Sequence, residues 1–216
     1  MKDVIYILDD NPSVRDALKW LVESVGLTAI GFDSVPDFLE APKDAETGCI
    51  ILDLRMPCMS GLEVLELLRR DGVQLPCIIL SAHGDVDSAV RAMKAGAFDF
   101  IQKPYSDQSL VEVIQRAVNE SAGQSEERLL RTELLERLGR LTQRERDVLV
   151  RLIEGRSSKE IAQALRLSPR TVDNHRGHIL TKMDARSAVE IVRNLLIAEI
   201  DPREIWKPDR EPPTQS

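Results

Sequence analysis

The sequence predicts an α/β domain built on a five-stranded parallel sheet, followed by a helical linker and a small all-helical domain. Three stretches of the 216-residue chain support this order. Residues 1–120 alternate short apolar runs with longer amphipathic stretches, residues 121–140 are polar, and residues 141–200 show helical periodicity without a strand pattern. Five strand-helix repeats in about 120 residues are typical of a doubly wound, flavodoxin-like sheet.

The strands are predicted from short runs of aliphatic and β-branched residues. Between them, side chains such as Val14, Leu18 and Leu21 recur at three- and four-residue intervals, which indicates helices with one apolar face. The predicted strands cover residues 4–8, 28–32, 49–52, 77–80 and 98–101.

Four helices are predicted in the second domain. Thr142 with Glu145 three residues later forms a capping-box start, and Gly155 ends that helix. The dipeptide Ser168-Pro169 is a typical start of the third helix, with a capping serine and proline at the first helical position. The second and fourth helices are predicted at residues 157–165 and 187–200.

The linker, residues 121–140, carries a sparse leucine series that continues to Leu141. We expect a helix, either continuous with the preceding helix or broken at Gly123. Its leucines fit either a dimeric coiled coil or a single solvated helix.

The tail, residues 201–216, contains four prolines and is expected to be disordered.

Charge and composition separate the two domains and limit the class of protein. Residues 1–120 carry a net charge of −9 and residues 141–200 a net charge of +3, which suggests different partners. No apolar run approaches the roughly 18 residues that span a bilayer, and no signal peptide is evident, so we expect a cytoplasmic protein without a membrane partner. The odd cysteine number, without metal-ligand spacing, favours reduced thiols, with Cys49 and Cys77 buried.

Polar residues follow four of the predicted strands. Asp9 and Asp10, then Asp53, Ser81 and Lys103, stand where the strands end. The carboxyl ends of parallel strands form the ligand-binding edge of such a sheet, so these side chains are expected to converge there. Three carboxylates would recruit Mg²⁺ or Mn²⁺ and one could attack a phosphoryl group, with the lysine and serine binding phosphate oxygens. Taken singly, Asp-Asp after a strand also fits a turn or helix cap.

The first domain resembles the receiver domains of two-component response regulators, of which CheY is a familiar example. The resemblance lies in Leu-Asp-Asp-Asn, Leu-Asp-Leu-Arg-Met-Pro-Cys-Met-Ser-Gly, Leu-Ser-Ala-His-Gly-Asp and Gly-Ala-Phe-Asp-Phe-Ile-Gln-Lys-Pro. It implies that Asp53 is the phosphoacceptor and that Asp10, Asp53 and the backbone carbonyl of Arg55 bind Mg²⁺, with Asp9 acting partly through water. It also implies a cis Lys103-Pro104 bond.

The same resemblance implies a switch. Phosphorylation would draw the Ser81 hydroxyl inward and vacate space for the ring of Phe100, which would change the surface of the fourth helix and fifth strand. Phe100 also fits simple core packing. Arg55 and His83 flank the pocket and would either tune hydrolysis of the acyl phosphate or lie as solvated surface residues.

The second domain resembles the LuxR-type helix-turn-helix family, and the whole chain is similar to its FixJ branch. The matching stretches are Leu-Thr-Gln-Arg-Glu-Arg-Asp-Val-Leu, Ser-Lys-Glu-Ile-Ala-Gln-Ala-Leu and Ser-Pro-Arg-Thr-Val-Asp-Asn-His. On the third helix, Val172, Ile179 and Met183 share one face and are predicted to pack inward. The expected DNA phosphate contacts are Lys159, Arg170, Thr171, Arg176 and Lys182.

Base contacts are expected from the third helix. By resemblance Asp173 and Asn174 lie where this family reads bases; an aspartate can accept from cytosine and an asparagine favours adenine. Many relatives carry lysine at the position of Asp173, so this chain departs from the family pattern there. His175 fits packing and base reading equally well.

These features predict a transcription factor controlled by phosphorylation. A sensor histidine kinase would phosphorylate Asp53, and the homodimer would then bind double-stranded promoter DNA, with RNA polymerase as a potential further partner. The alternative is a phosphoryl sink or adaptor whose helical domain binds a protein. An independent enzyme lacks support, because the only reactions expected of the pocket are its own phosphorylation and slow dephosphorylation.

Overall fold

The computed structural model describes residues 3–41, 47–82 and 86–206. The chain divides into two compact units, Met1–Ser125 and Glu126–Ser216, each with its own hydrophobic core. The division falls within the stretch predicted to be the linker.

The first unit contains the predicted five-stranded parallel sheet. Its strand order is β2-β1-β3-β4-β5, and each observed strand agrees with its predicted bounds to within one residue at either end. The fold class predicted from the sequence is therefore confirmed. The strands are β1 (Val4–Leu8), β2 (Thr28–Phe32), β3 (Gly48–Asp53), β4 (Cys77–Ser81) and β5 (Asp99–Gln102).

The central strands are apolar throughout because helices cover both faces of the sheet. Alternate residues of β3 enter different cores: Ile50 packs in the same cluster as Phe38, whereas Ile51 packs in the same cluster as Leu18. Cys49 and Cys77 are buried free thiols, as predicted. The helices of this unit are α1 (Pro12–Ser24), α2 (Val35–Glu40), α3 (Gly61–Arg70), α4 (Val86–Lys94) and the first part of α5 (Asp107–Gly139).

Helix α5 follows one of the two predicted alternatives at Gly123 and differs from the prediction in the packing of its leucines. It continues through Gly123 without a break, because the cost of one glycine, about 1 kcal/mol, is small beside the packing of its neighbours. Leu134, Leu138 and Leu141 are at most 3% exposed and belong to the core of the second unit. The leucine series therefore arises from packing within one chain, and neither a coiled coil nor a solvated helix is needed to explain it.

In its described residues, the second unit contains the four predicted helices and a further short one. These are α6 (Gln143–Ile153), α7 (Ser158–Leu165), α8 (Pro169–Met183), α9 (Ala188–Ile197) and the additional α10 (Pro202–Ile205). The capping box of Thr142 and Glu145 and the Ser168 cap are both present. In the described part of the chain, no helix is both long and apolar enough to cross a membrane.

The expectation of a disordered tail is wrong for its first residues. Asp201 caps α10 with its side chain, and Pro202 occupies a first-turn position, where its missing N–H costs nothing. Trp206 packs against the core, with the guanidinium of Arg146 5.2 Å from its ring centre. The remainder of the predicted tail, residues 207–216, lies outside the described residues.

Candidate functional site

The register of the sheet brings Asp9 and Asp53 to the same level. Leu8 of β1 lies opposite Leu52 of β3, and each aspartate follows directly. The strand order reverses between β1 and β3, which leaves a crevice at their carboxyl ends. Both carboxylates are buried, with Asp9 2% and Asp53 9% exposed, so their charges require a partner.

Lys103 is that partner. Its ammonium nitrogen lies 2.7 Å from Oδ1 of Asp53 and 3.1 Å from Oδ2 of Asp9. Burial alone would lower the pKa of Lys103, but the hydrogen bonds and negative charges of Asp53 and Asp9 outweigh it and raise the pKa. The lysine therefore stays positively charged between the two aspartates.

The end of β5 positions this lysine. The backbone N–H of Lys103 donates to the carbonyl oxygen of Ser81 at 2.7 Å, which joins the ends of β5 and β4. The Lys103-Pro104 bond is cis, as predicted. Ser81 is itself buried at 1% exposure, at the end of β4.

The loop after β3 orients Asp53. Its Oδ2 accepts from the backbone N–H of Arg55 at 2.8 Å, while Oδ1 faces Lys103. The loop then returns to the strand end, where the N–H of Gly61 donates to the carbonyl of Leu54 at 3.0 Å. A Cβ at Gly61 would overlap the carbonyl oxygen of Asp53, so this return requires glycine.

Two residues that the sequence analysis did not select hold Asp9. The N–H of Asn11 donates to Oδ1 of Asp9 at 2.9 Å, and the guanidinium of Arg15 donates to its backbone carbonyl at 2.8 Å. Asn11 also caps α1 and could have been found from the Asn-Pro start signal. The contact of Arg15 with Asp9 forms only in the folded chain, and no local sequence pattern indicates it.

The expectation that three carboxylates converge is met for two. Asp10 is exposed, because consecutive residues at a strand end point to opposite sides. Among the described residues, no group of three histidine, cysteine or acidic side chains is close enough to bind one metal ion. The structure instead places the Lys103 ammonium between Asp9 and Asp53.

The other predicted residues of this site take various positions. Phe100 is partly buried against the core of the sheet, an arrangement compatible with both packing and switching. Arg55 is exposed beside the site, and His83 lies outside the described residues.

In the second unit, helix α8 has the predicted two-sided character. Val172, Ile179 and Met183 are buried, which confirms the predicted inner face. Asp173 and Asn174 are exposed and His175 is partly buried. The opposite surface is polar and open, with Arg170, Asn174, Gly177 and Thr181 exposed.

One flank of α8 is tied to α6 by an ion pair. The Lys182 ammonium lies 2.7 Å from Oε2 of Glu145, a residue only 3% exposed that also accepts from the backbone N–H and hydroxyl of Thr142. Burial would raise the pKa of Glu145, but the hydrogen bonds from Lys182 and Thr142 outweigh it and lower the pKa to about 2. The sequence analysis assigned Glu145 only to the capping box.

Three of the predicted phosphate contacts have partners within the chain. Arg176 donates to Ser158 at 3.0 Å, Lys182 pairs with Glu145, and Thr171 lies 2.8 Å from the hydroxyl of Ser168. Lys159 and Arg170, by contrast, are exposed.

The linker part of α5 contacts the ends of the helices in the second unit. The Arg137 guanidinium lies 3.5 Å from the carboxylate of Asp184, which caps α8, and donates to the carbonyl of Met183 at 3.4 Å. Arg131 donates to the backbone carbonyls of Ala198 and Glu199 at the end of α9. Positively charged side chains at a helix C-terminus interact favourably with the helix dipole and donate hydrogen bonds to the last carbonyls of the helix.

Comparison with known proteins identifies the family of each unit. Residues 5–115 match the response regulator receiver domain, and residues 139–195 match the luxR family of bacterial regulatory proteins. The chain is 41% identical to the transcriptional regulatory protein FixJ of Azorhizobium caulinodans, over 92% of this chain and 94% of that protein. It is 39% identical to the transcriptional regulatory protein TdiR of Thauera aromatica, over 87% of this chain and 83% of that protein.

Among solved structures, the chain is similar to the response regulator StyR, with a TM-score of 0.80 and 36% identity over 91% of this chain and 99% of that one. Full-length FixJ from B. japonicum gives a TM-score of 0.57 and 37% identity over 92% and 98% of the two chains. With an acid-lysine site in its first unit and a helix-turn-helix in its second, this chain belongs to the transcriptional response regulators that join a receiver domain to a LuxR-type DNA-binding domain.

Proposed function

We propose that a sensor histidine kinase phosphorylates Asp53 and that the phosphorylated chain binds promoter DNA as a homodimer. One observation carries the first step: the Lys103 ammonium lies 2.7 Å from Asp53 at the open end of the sheet. A lysine in this place can bind an oxygen of an incoming phosphoryl group and hold the product anion.

In the chemical step, a carboxylate oxygen of Asp53 attacks phosphorus. The bond between phosphorus and the imidazole nitrogen of the kinase, or the acyl oxygen of acetyl phosphate, breaks as the new bond forms. The Arg55 N–H, which donates to Oδ2, orients the carboxylate for attack. Slow hydrolysis of the acyl phosphate then resets the chain, and no other catalysis is proposed.

The net charge of the site favours a divalent cation. Asp9 and Asp53 share one lysine, so the pair retains one negative charge, and exposed Asp10 adds another. Asp10, Asp53 and the carbonyl of Arg55 would hold Mg²⁺ or Mn²⁺, with Asp9 acting partly through water, since hard cations prefer oxygen donors. When bound, the cation neutralises charge on the phosphoryl group.

The switch proceeds through Ser81 and Phe100. A phosphate on Asp53 accepts a hydrogen bond from the Ser81 hydroxyl, and the Phe100 ring moves into the vacated space. This alters the face of α4 and β5. Exposed Val86, Val90 and Met93 form an apolar stripe on α4 that supports dimerisation through this face.

DNA binding belongs to the second unit. Lys159, Arg170, Thr171, Arg176 and Lys182 bind phosphates, while Asp173 and Asn174, with His175 beside them, face the bases. Two copies bind half-sites roughly 34 Å apart, one helical turn. RNA polymerase is a further partner at such promoters. Kinase and promoter both place the chain in the cytoplasm.

The test follows the phosphoryl group. Acetyl phosphate with Mg²⁺ should add one phosphoryl mass to the full-length chain, and both Asp53→Ala and EDTA should abolish the addition. Asp71→Ala removes an exposed aspartate at the end of α3 and should leave the addition unchanged. A phosphoryl mass on the Asp53→Ala chain would refute Asp53 as the acceptor.

A further inference from the structure

A chain of hydrogen bonds joins α7 to the exposed surface of α8. The Ser158 hydroxyl donates to Oδ1 of Asp173 at 2.7 Å and accepts from a guanidinium nitrogen of Arg176 at 3.0 Å. A hydroxyl can donate one hydrogen bond, so this geometry commits the Ser158 proton to Asp173. The three side chains therefore form a directed relay, Arg176 to Ser158 to Asp173.

The relay controls the only acidic residue of α8. Helix α8 contains two arginines, one lysine and two histidines besides Asp173, and its outer surface faces DNA in the proposed function. A carboxylate at such a surface is repelled by DNA phosphates, and a hydrogen bond accepted from a base offsets this cost. Oδ2 of Asp173 makes no hydrogen bond with any residue that the structure describes, so this oxygen is available to a base.

We propose that Ser158 is a positioning residue for base recognition, holding Asp173 as the acceptor for the N4 amino group of a cytosine in the major groove. This inference rests on the proposed function. An ionised carboxylate only accepts hydrogen bonds. Cytosine presents a single donor in the major groove, whereas adenine places an acceptor beside its amino group, guanine presents two acceptors, and thymine an acceptor and a methyl group.

Ser158 fits this role because it fixes one carboxylate oxygen without occupying the other. Without the hydroxyl, Asp173 is free to rotate about its side-chain bonds and to leave the base edge. The positive charge of Arg176 behind the serine strengthens the relay and partly offsets the negative charge in the groove. The relay therefore acts on discrimination between bases, more than on total affinity.

The experiment measures base preference with the phosphorylated full-length chain. Selection from a randomised duplex library by the wild type defines the bound sequence, and duplexes carrying each of the four bases at each position are then titrated by fluorescence anisotropy. We expect one position in each half-site to prefer cytosine by a factor on the order of 5–100, the value of one good base contact.

The variants separate positioning from structure. Ser158→Ala should lose most of the cytosine preference, and Ser158→Thr, which keeps the hydroxyl, should restore it. Ser157→Ala is the matched control, because this neighbouring serine bonds Glu160 and caps α7 without touching α8 in the described contacts. It should change affinity for all four bases alike. Asp173→Asn should move the preference at that position towards adenine.

The outcomes are distinct. Retention of the cytosine preference by Ser158→Ala, an equal loss at all bases in Ser158→Ala and Ser157→Ala, or a preferred base other than cytosine at the position sensitive to Asp173 would each overturn the inference and leave the proposed function standing. Failure of the wild type to enrich any sequence would overturn both, and this is seen before any variant is compared.

Discussion

Glu145→Gln should destabilise the DNA-binding unit in a pH-dependent manner. The glutamine keeps the shape of the side chain and an acceptor for the Thr142 hydrogen bonds, but it removes the charge that faces Lys182 at 2.7 Å. The variant therefore leaves a lysine without its counter-ion beside a buried site.

The size of the effect follows from the pKa of Glu145. A carboxyl whose pKa falls from 4.5 in the unfolded chain to about 2 in the native one favours folding by about 3 kcal/mol at neutral pH. The Lys182 side chain is 34% exposed, so water screens part of this attraction, and we expect a loss of about 1–2 kcal/mol at pH 7.

The pH dependence has a definite sign. Because the native pKa is depressed, the stabilisation is fully present above pH 4.5 and is lost as the pH falls towards 2. The glutamine does not titrate. The difference in unfolding free energy between wild type and variant should therefore narrow by roughly 1 kcal/mol between pH 7 and pH 3.5.

The assay is urea unfolding followed by tryptophan fluorescence. The chain has two tryptophans, and Trp20 is 71% exposed on α1, so Trp20→Phe leaves Trp206 as a reporter packed in the second unit. Glu160→Gln is the matched control, because Glu160 closes the same kind of capping box on α7 but is exposed. Glu160→Gln should lower the unfolding free energy far less than Glu145→Gln. Equal losses of unfolding free energy in Glu145→Gln and Glu160→Gln would refute the reasoning. So would a difference in unfolding free energy between the wild type and Glu145→Gln that does not change with pH.

Two further predictions concern the linker and the phosphorylation loop. Leu134→Ala should lower the unfolding free energy of the second unit by about 3 kcal/mol, measured with the Trp206 reporter. Leu135→Ala, at an exposed position, should have little effect. Similar losses of unfolding free energy in the two variants would contradict the burial of the linker leucines. Gly61→Ala should slow the phosphorylation of Asp53 by acetyl phosphate, because the added Cβ displaces the loop after β3. Gly123→Ala in α5 is the control and should leave the rate unchanged. Equal phosphorylation rates in the wild type and both variants would contradict the need for glycine at position 61.

The strands were predictable because local sequence determines them. Each is a short apolar run bounded by polar or turn residues, and the parallel arrangement then places the residues after β1, β3 and β5 at one edge. For this reason the sequence alone was enough to group Asp9, Asp53 and Lys103. Consecutive residues at a strand end point to opposite sides, but the sequence did not show which of Asp9 and Asp10 faces the site, because that depends on the backbone beyond the strand.

Features that depend on distant contacts were not predictable. The spacing of the linker leucines is the same whether they pack against another chain, face solvent or, as here, belong to the core of the second unit. Ser158 follows a capping serine, and nothing in its local sequence indicates that its hydroxyl contacts Asp173, fifteen residues away. The α10 start signals, Asp201 and Pro202, were present but were outweighed by the proline content of the tail.

The affinity of one selected duplex for the full-length chain, measured by anisotropy with and without acetyl phosphate and Mg²⁺, tests most directly whether phosphate on Asp53 governs DNA binding. The account predicts that phosphorylation tightens binding by the wild type at least about 5-fold, a typical coupling between two sites, and leaves Asp53→Ala unchanged. Equal affinities of the wild type in both conditions, with phosphoryl incorporation verified by mass, would contradict it.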